Sequence, residues 1–143
     1  MADVLPFRAL VVDDEPHVRD LWCEFLKMAG CSSDQVGTGM EALTRFDAGR
    51  YDLVVTDLLM PGLTGWDVAW AVRRRDPAIA VILISGSPTH IDVDLLREPG
   101  VTLLEKPVHL KTFLTAAEDA LAVRARVLDR AVLSAVAPAS AGG

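Results

Sequence analysis

Short, unbroken apolar runs alternate along this chain with longer stretches in which apolar residues recur every three or four positions. The runs Ala9-Leu10-Val11-Val12, Leu53-Val54-Val55-Thr56, Ala80-Val81-Ile82-Leu83-Ile84 and Val101-Thr102-Leu103-Leu104 lack the in-out alternation of a strand with one wet face. Continuous apolar strands of this length read as parallel strands covered on both sides. A weaker strand is read over residues 33–36.

Helical patterns fill the gaps. The first opens at Pro16, a residue suited to the first helical turn, and ends at Gly30, with Val18, Leu21, Trp22, Phe25 and Ala29 toward the core. Thr38-Gly39-Met40-Glu41 has the spacing of a capping box and predicts a second helix over residues 39–48, stopped by Gly49. A turn at Met60-Pro61-Gly62 leads through Gly65 into a third helix ending near Arg75, and a poorly patterned fourth spans residues 91–97 before Pro99-Gly100. Strands alternating with helices predict an α/β fold, a doubly wound five-stranded parallel sheet with helices on both faces.

Composition narrows the class. The 143 residues are 51% hydrophobic and 24% charged, which is enough apolar material for one real core and does not read as disorder. A net charge of −6 argues against broad nucleic-acid binding, because phosphate backbones call for a basic face. The basic run Arg73-Arg74-Arg75 precedes Asp76-Pro77 and is read as cations offsetting a helix C-terminus. The two cysteines form no CxxC pair or framework, so Cys23 and Cys31 are expected to pack as small hydrophobes in a reduced, cytoplasmic compartment. The first residues lack the pattern of a secretory signal, and no apolar run is long enough to cross a bilayer.

The candidate chemistry sits just after the apolar runs: Asp13-Asp14, Asp57, Ser85 and Lys106-Pro107. Carboxyl ends of strands in open α/β sheets face the crevice where ligands bind, so three carboxylates, a hydroxyl and an ammonium converge on one edge. A carboxylate acts as a nucleophile toward phosphorus when charge on the phosphoryl group is neutralised. Mg²⁺ suits that task, taking hard oxygen ligands from one or two carboxylates, waters and phosphate. Each residue also has a plainer reading: Asp13-Asp14 as a turn capping the first helix, Asp57 as a turn acid, Ser85-Gly86 as a loop, Lys106 as a solvated side chain. Their joint order and placement favour the site.

On these residues the chain resembles the receiver domains of two-component response regulators, the CheY-like proteins, over roughly residues 9–121. The resemblance rests on Asp13-Asp14, Asp57-Leu58-Leu59-Met60-Pro61 with Gly65, Ser85-Gly86 and Lys106-Pro107. It implies a flavodoxin-like (βα)5 sheet of strand order 2-1-3-4-5. It also implies that Asp57 accepts a phosphoryl group from a histidine kinase, a histidine phosphotransfer protein or a small phosphodonor. Asp13, Asp14, Asp57 and the backbone carbonyl of Leu59 would hold Mg²⁺, while Ser85 and Lys106 contact phosphoryl oxygens. A cis bond before Pro107 is expected, and Ser85, Leu103 and Pro107 are the expected switch positions. Leu103 departs from the aromatic residue common at its place, so output falls to the loop after Ser85 and the weak fourth helix.

Two alternatives belong to other classes. An aspartate-nucleophile phosphatase would need a second acid two residues after Asp57, where Leu59 stands. A receiver-shaped module that binds partners without phosphorylation would be expected to lose part of the acidic set.

The end of the chain raises a separate question. Leu114, Leu121, Leu128 and Ala135 are spaced by seven, with Ala117 and Ala131 between them and Arg124 interrupting the stripe. The division expected is a receiver over residues 1–122, then a helical extension and disordered tail over 123–143 with no output domain. The stripe reads as a homodimer contact, a docking helix or a fraying tail. Glu98-Pro99-Gly100-Val101 resembles receivers of hybrid sensor kinases, whereas the Met1 start suggests a free-standing protein. Trp66 and Trp70, four apart, read as packing at a helix edge or as a binding patch, and His17, His90 and His109 carry no assigned chemistry.

Overall fold

The computed structural model describes residues 5–87 and 90–136. Its elements run β1 (Phe7–Val12), α1 (Pro16–Met28), β2 (Cys31–Val36), α2 (Gly39–Arg45), β3 (Leu53–Asp57), α3 (Gly65–Arg75), β4 (Ala80–Ser85), α4 (Val93–Leu96), β5 (Val101–Glu105) and α5 (Leu110–Val136). The strands form one five-stranded sheet in the order β2-β1-β3-β4-β5, and every neighbouring pair is parallel. The fold class is the one the apolar runs predict, and the strand order is the one the resemblance implies.

The apolar runs are continuous because alternate residues serve two cores. Leu10, Val12, Val54, Val81 and Leu83 pack with Val68, Ala69 and Val72 of α3, with Ala42 of α2 and with Leu95 of α4. Ala9, Val11, Leu53, Val55, Ala80, Ile82 and Ile84 face the other way, onto Trp22, Cys23 and Leu26 of α1 and Phe113, Ala117 and Ala120 of α5. Trp22 stacks on Phe113 at 5.5 Å with Phe25 edge-on to both, fixing α1 against α5. Both cysteines are buried and free, and burial pushes the Cys31 thiol up to about 11, which keeps it protonated and inert.

Several expectations need correction. α2 ends at Arg45, short of residue 48, because Phe46 turns to extended backbone, buries its ring and stacks on Tyr51. Gly49, with φ +82, belongs to the later turn. Thr38 accepts from the Glu41 amide as a cap, but the Glu41 carboxylate reaches back to the Gly37 amide rather than that of Thr38. A complete capping box stands instead at Thr64 and Asp67. Leu21 is 44% exposed, since Trp22 and Leu26 take the centre of the α1 face. α4 is a single turn, Val93–Leu96, so only the middle of its predicted span is helical.

The arginine run does more than offset a dipole. Arg73 is buried and donates to the carbonyls of Pro77 and Pro99, and Arg75 donates to those of Leu43 and Phe46. Trp66 and Trp70 pack partly buried against the α3 core. α5 lies on the sheet as far as Arg124 and then continues, with Leu128, Val132 and Leu133 between 41% and 66% exposed. The tail over residues 137–143 lies outside the described residues.

Candidate functional site

The site stands at the carboxyl ends of β1, β3, β4 and β5. Because β1 and β3 are neighbours with Val12 opposite Thr56, the residues that follow them, Asp13 and Asp57, come out side by side. Carboxylate oxygens of Asp13, Asp14 and Asp57 all lie within 4.8 Å of one another. The loop that carries Asp57 is held close by Gly65, whose amide donates to the Leu58 carbonyl at 2.8 Å. A Cβ at Gly65 would stand 2.5 Å from the Asp57 carbonyl oxygen, so only glycine closes the loop this tightly.

Asp13 is 1% exposed. Its Oδ1 accepts from the Glu15 amide at 2.9 Å, whereas Oδ2 has no hydrogen-bond partner among the described residues. Burial raises the carboxyl of Asp13 above the ordinary aspartate value, the Glu15 amide draws it back, and the charge of Asp57 lifts it again. Asp57 is raised too, by burial first, against the pull of the Lys106 ammonium and the Leu58 and Leu59 amides. Lys106 Nζ lies 3.8 Å from Asp57 Oδ2. Asp14 is exposed and completes the cluster from the solvent side.

Ser85 ends β4 with its hydroxyl buried and without a partner among the described residues, while its carbonyl accepts from the Lys106 amide at 2.8 Å. That bond seats Lys106 beside the serine. The Lys106-Pro107 peptide is cis, as expected. Gly86 has open space where a Cβ would stand. Leu59 projects its side chain outward, 61% exposed, and Leu103 is half-buried against the α3 core opposite Leu83 in the sheet.

The structure thus gathers Asp13, Asp14, Asp57 and Lys106 into one cluster and ties Ser85 to Lys106 through the main chain. The acidic cluster contains no histidine. An all-oxygen, anionic donor set containing a buried carboxylate oxygen without a partner fits a hard divalent cation. A softer metal would call for nitrogen or sulfur donors. Sequence reasoning missed Arg19, which reads as one more polar residue of α1. Its guanidinium Nη1 donates to the Asp13 backbone carbonyl at 2.7 Å, and nothing in the local pattern announces that reach.

Residues 9–118 match the family described as response regulator receiver domain. The chain is 35% identical over 98 residues to the DNA-binding response regulator MtrA of Mycolicibacterium smegmatis, covering 68% of this chain and 42% of that protein. It is 32% identical over 124 residues to the transcriptional regulatory protein TcrA of Mycobacterium tuberculosis, covering 86% of this chain and 46% of the relative. This chain therefore spans less than half the length of these curated relatives. Among solved structures, a response regulator receiver domain protein from Clostridium thermocellum superposes with a TM-score of 0.72 at 29% identity, over 85% of this chain and 98% of that one. No helix among the described residues is long and apolar enough to cross a membrane.

Proposed function

This chain belongs to the response regulator receiver domains, and from that premise we propose that it accepts a phosphoryl group on Asp57 and changes conformation as a result. The donor is a histidine kinase, a histidine phosphotransfer protein or a small phosphodonor. The observation that carries the reading is the acidic cluster beside Lys106: three carboxylates within 4.8 Å of one another, one with a buried, unpartnered oxygen.

A carboxylate oxygen of Asp57 attacks phosphorus, the bond from phosphorus to the donor nitrogen or oxygen breaks, and its electron pair leaves with the donor. Asp13, Asp14, Asp57 and the Leu59 carbonyl would hold Mg²⁺, which when bound would supply charge neutralisation at the phosphoryl oxygens. Lys106 exchanges its ion pair with Asp57 for a phosphoryl oxygen. Ser85 gains there a partner for the buried hydroxyl that has none among the described residues.

Switching then follows from differential affinity. The phosphoryl oxygens bind better to the conformation in which Ser85 and Lys106 have closed inward, so the modification shifts a pre-existing equilibrium. Leu103, on β5 and partly buried against the core that the sheet shares with α3 and α4, repacks as β4 and β5 adjust, and Pro107 moves with Lys106. Turnover is confined to self-phosphorylation and hydrolysis of the acyl phosphate. Partners are proteins of the relay. DNA contact, which the MtrA name assigns to a longer protein of which the match covers 42%, is not expected of this acidic stretch.

Incubation with acetyl phosphate and Mg²⁺, followed by intact-mass and peptide spectrometry, tests the reading. One phosphoryl group is expected on Asp57, with none in Asp57→Ala and none after chelation. Modification that survives in Asp57→Ala overturns it.

A further inference from the structure

We propose that Arg19 is a positioning residue for the cation site, acting through the main chain of Asp13 without touching cation or phosphoryl group. The inference rests on the function proposed above.

Asp13 is fixed from three sides. Its amide donates to the Val36 carbonyl at 3.3 Å, its Oδ1 accepts from the Glu15 amide, and its own carbonyl accepts from Arg19 Nη1 at 2.7 Å. Arg19 itself is not free to swing. Its Nε donates to Gln35 Oε1 at 3.1 Å, and Gln35 Nε2 donates in turn to Asp20 Oδ1 at 3.0 Å. The guanidinium therefore ties three elements together: α1, which carries it, the end of β2 at Gln35, and the turn after β1.

The consequence falls on a single atom. With backbone and Oδ1 both held, Asp13 Oδ2 has one direction left, and that oxygen is buried and unpartnered. Left mobile, this carboxylate would rotate toward solvent, since a buried charged oxygen with no hydrogen-bond partner is costly. The repulsion that makes the cluster attract a cation is the same force that would scatter it. Arg19 opposes the scattering before any cation arrives, so less ordering remains to be done on binding. A charge-assisted hydrogen bond to a carbonyl is also stronger than a neutral one, which suits a tether acting against like-charge repulsion.

Outer contacts that orient metal ligands are worth about 10- to 100-fold in metal affinity when removed. Arg19 grips the main chain of a ligand rather than its carboxylate, so the expected loss is at the lower end of that range, about tenfold.

Isothermal titration with Mg²⁺ alone, on the whole chain, tests this in Arg19→Ala, Arg19→Gln and wild type. Leu26→Ala serves as a destabilised control, because Leu26 is buried on the α1 side of the sheet and belongs to no part of the pocket. The Mg²⁺ dissociation constant is expected to rise about tenfold in Arg19→Ala and less in Arg19→Gln, which keeps one donor. In Leu26→Ala the melting temperature falls while the constant stays put. Acetyl-phosphate labelling of Arg19→Ala is expected to recover at saturating Mg²⁺. Equal Mg²⁺ affinity in Arg19→Ala and wild type overturns the inference, as does a parallel loss in Leu26→Ala. If wild type itself takes up no Mg²⁺, the functional reading fails instead, and the two failures are told apart in the first titration.

Discussion

The indole Nε1 of Trp70 donates to Asp92 Oδ2 at 2.6 Å, and the other oxygen of the same carboxylate caps α4 through the Leu95 amide at 3.0 Å. One aspartate thus fastens a one-turn helix to α3. A single turn cannot stand by itself, because nucleation costs more than one hydrogen bond returns. α4 therefore depends on this tie and on buried Leu95. Asp92→Ala, which removes cap and tie together, is expected to cost about 1–2 kcal/mol in urea unfolding. Trp70→Phe keeps the ring and loses only the hydrogen bond, for about 1 kcal/mol. Amide exchange at Leu95 should quicken in both, and more in Asp92→Ala.

Titration of the acidic cluster sets a pH dependence whose sign is fixed. Asp13 and Asp57 both have folded values raised above the ordinary aspartate value of 3.8, by burial first. A raised carboxyl favours the folded state at low pH, and that contribution fades as pH climbs through the raised value. Without divalent cation, the part of the stability owed to these two groups is expected to fall as pH rises above about 4, and Mg²⁺ should restore it near neutrality. Asp57→Asn removes one buried charge from a repelling group. Its metal-free urea midpoint at pH 7 should lie above that of wild type, although acetyl phosphate no longer labels it. Melting curves across pH, with Mg²⁺ and with chelator, check both statements.

Much of this molecule is legible in its sequence because the signals are local or repeat with a fixed period. The strands announce themselves since alternate residues feed two cores, which leaves no polar position in Val81-Ile82-Leu83-Ile84. Residues immediately after such runs must emerge at the sheet edge, so Asp13, Asp57 and Ser85 could be placed without knowing any contact. What escaped depends on side chains reaching across sequence. The early end of α2 is decided by Phe46 finding Tyr51, and the burial of Arg73 by the carbonyls of Pro77 and Pro99. Arg19 and Arg124 look like solvated helix charges until tertiary structure supplies their acceptors. Arg124 in particular reads as a flaw in an apolar stripe. In the fold it faces the domain.

Arg124 binds Asp52 through Nε at 3.3 Å and Asp76 through Nη1 at 3.1 Å, with its side chain 8% exposed and that of Asp76 12%. Removing one member of a buried pair leaves the other charge uncompensated, at a cost of about 3–5 kcal/mol. Asp52 is one-third exposed and Asp76 retains its bond from the Ala78 amide, so the lower end applies. Arg124→Ala is expected to lose about 3 kcal/mol by urea unfolding. Arg124→Ala combined with Asp76→Asn should recover part of it, and the double-mutant cycle measures the coupling.

Truncation separates the helix that belongs to the domain from the helix that extends beyond it. Past Arg124, Leu128, Val132 and Leu133 are 41%, 59% and 66% exposed, so this chain buries little of them. Ending the chain after Val127 keeps the Arg124 contacts and removes mainly solvated surface, and its stability should stay within about 1 kcal/mol of the full chain. Ending it after residue 122 strips Arg124 from Asp52 and Asp76. That shorter chain is expected to lose at least the roughly 3 kcal/mol of Arg124→Ala. Sedimentation of the full chain and of the version ending at Val127 completes the test. If Leu128, Ala131 and Ala135 form a seam between two copies, the full chain dimerises and the truncated one does not. A monomer in both rules out the dimer contact and leaves the docking-helix and fraying-tail readings. A dimer in both moves the contact onto the receiver itself.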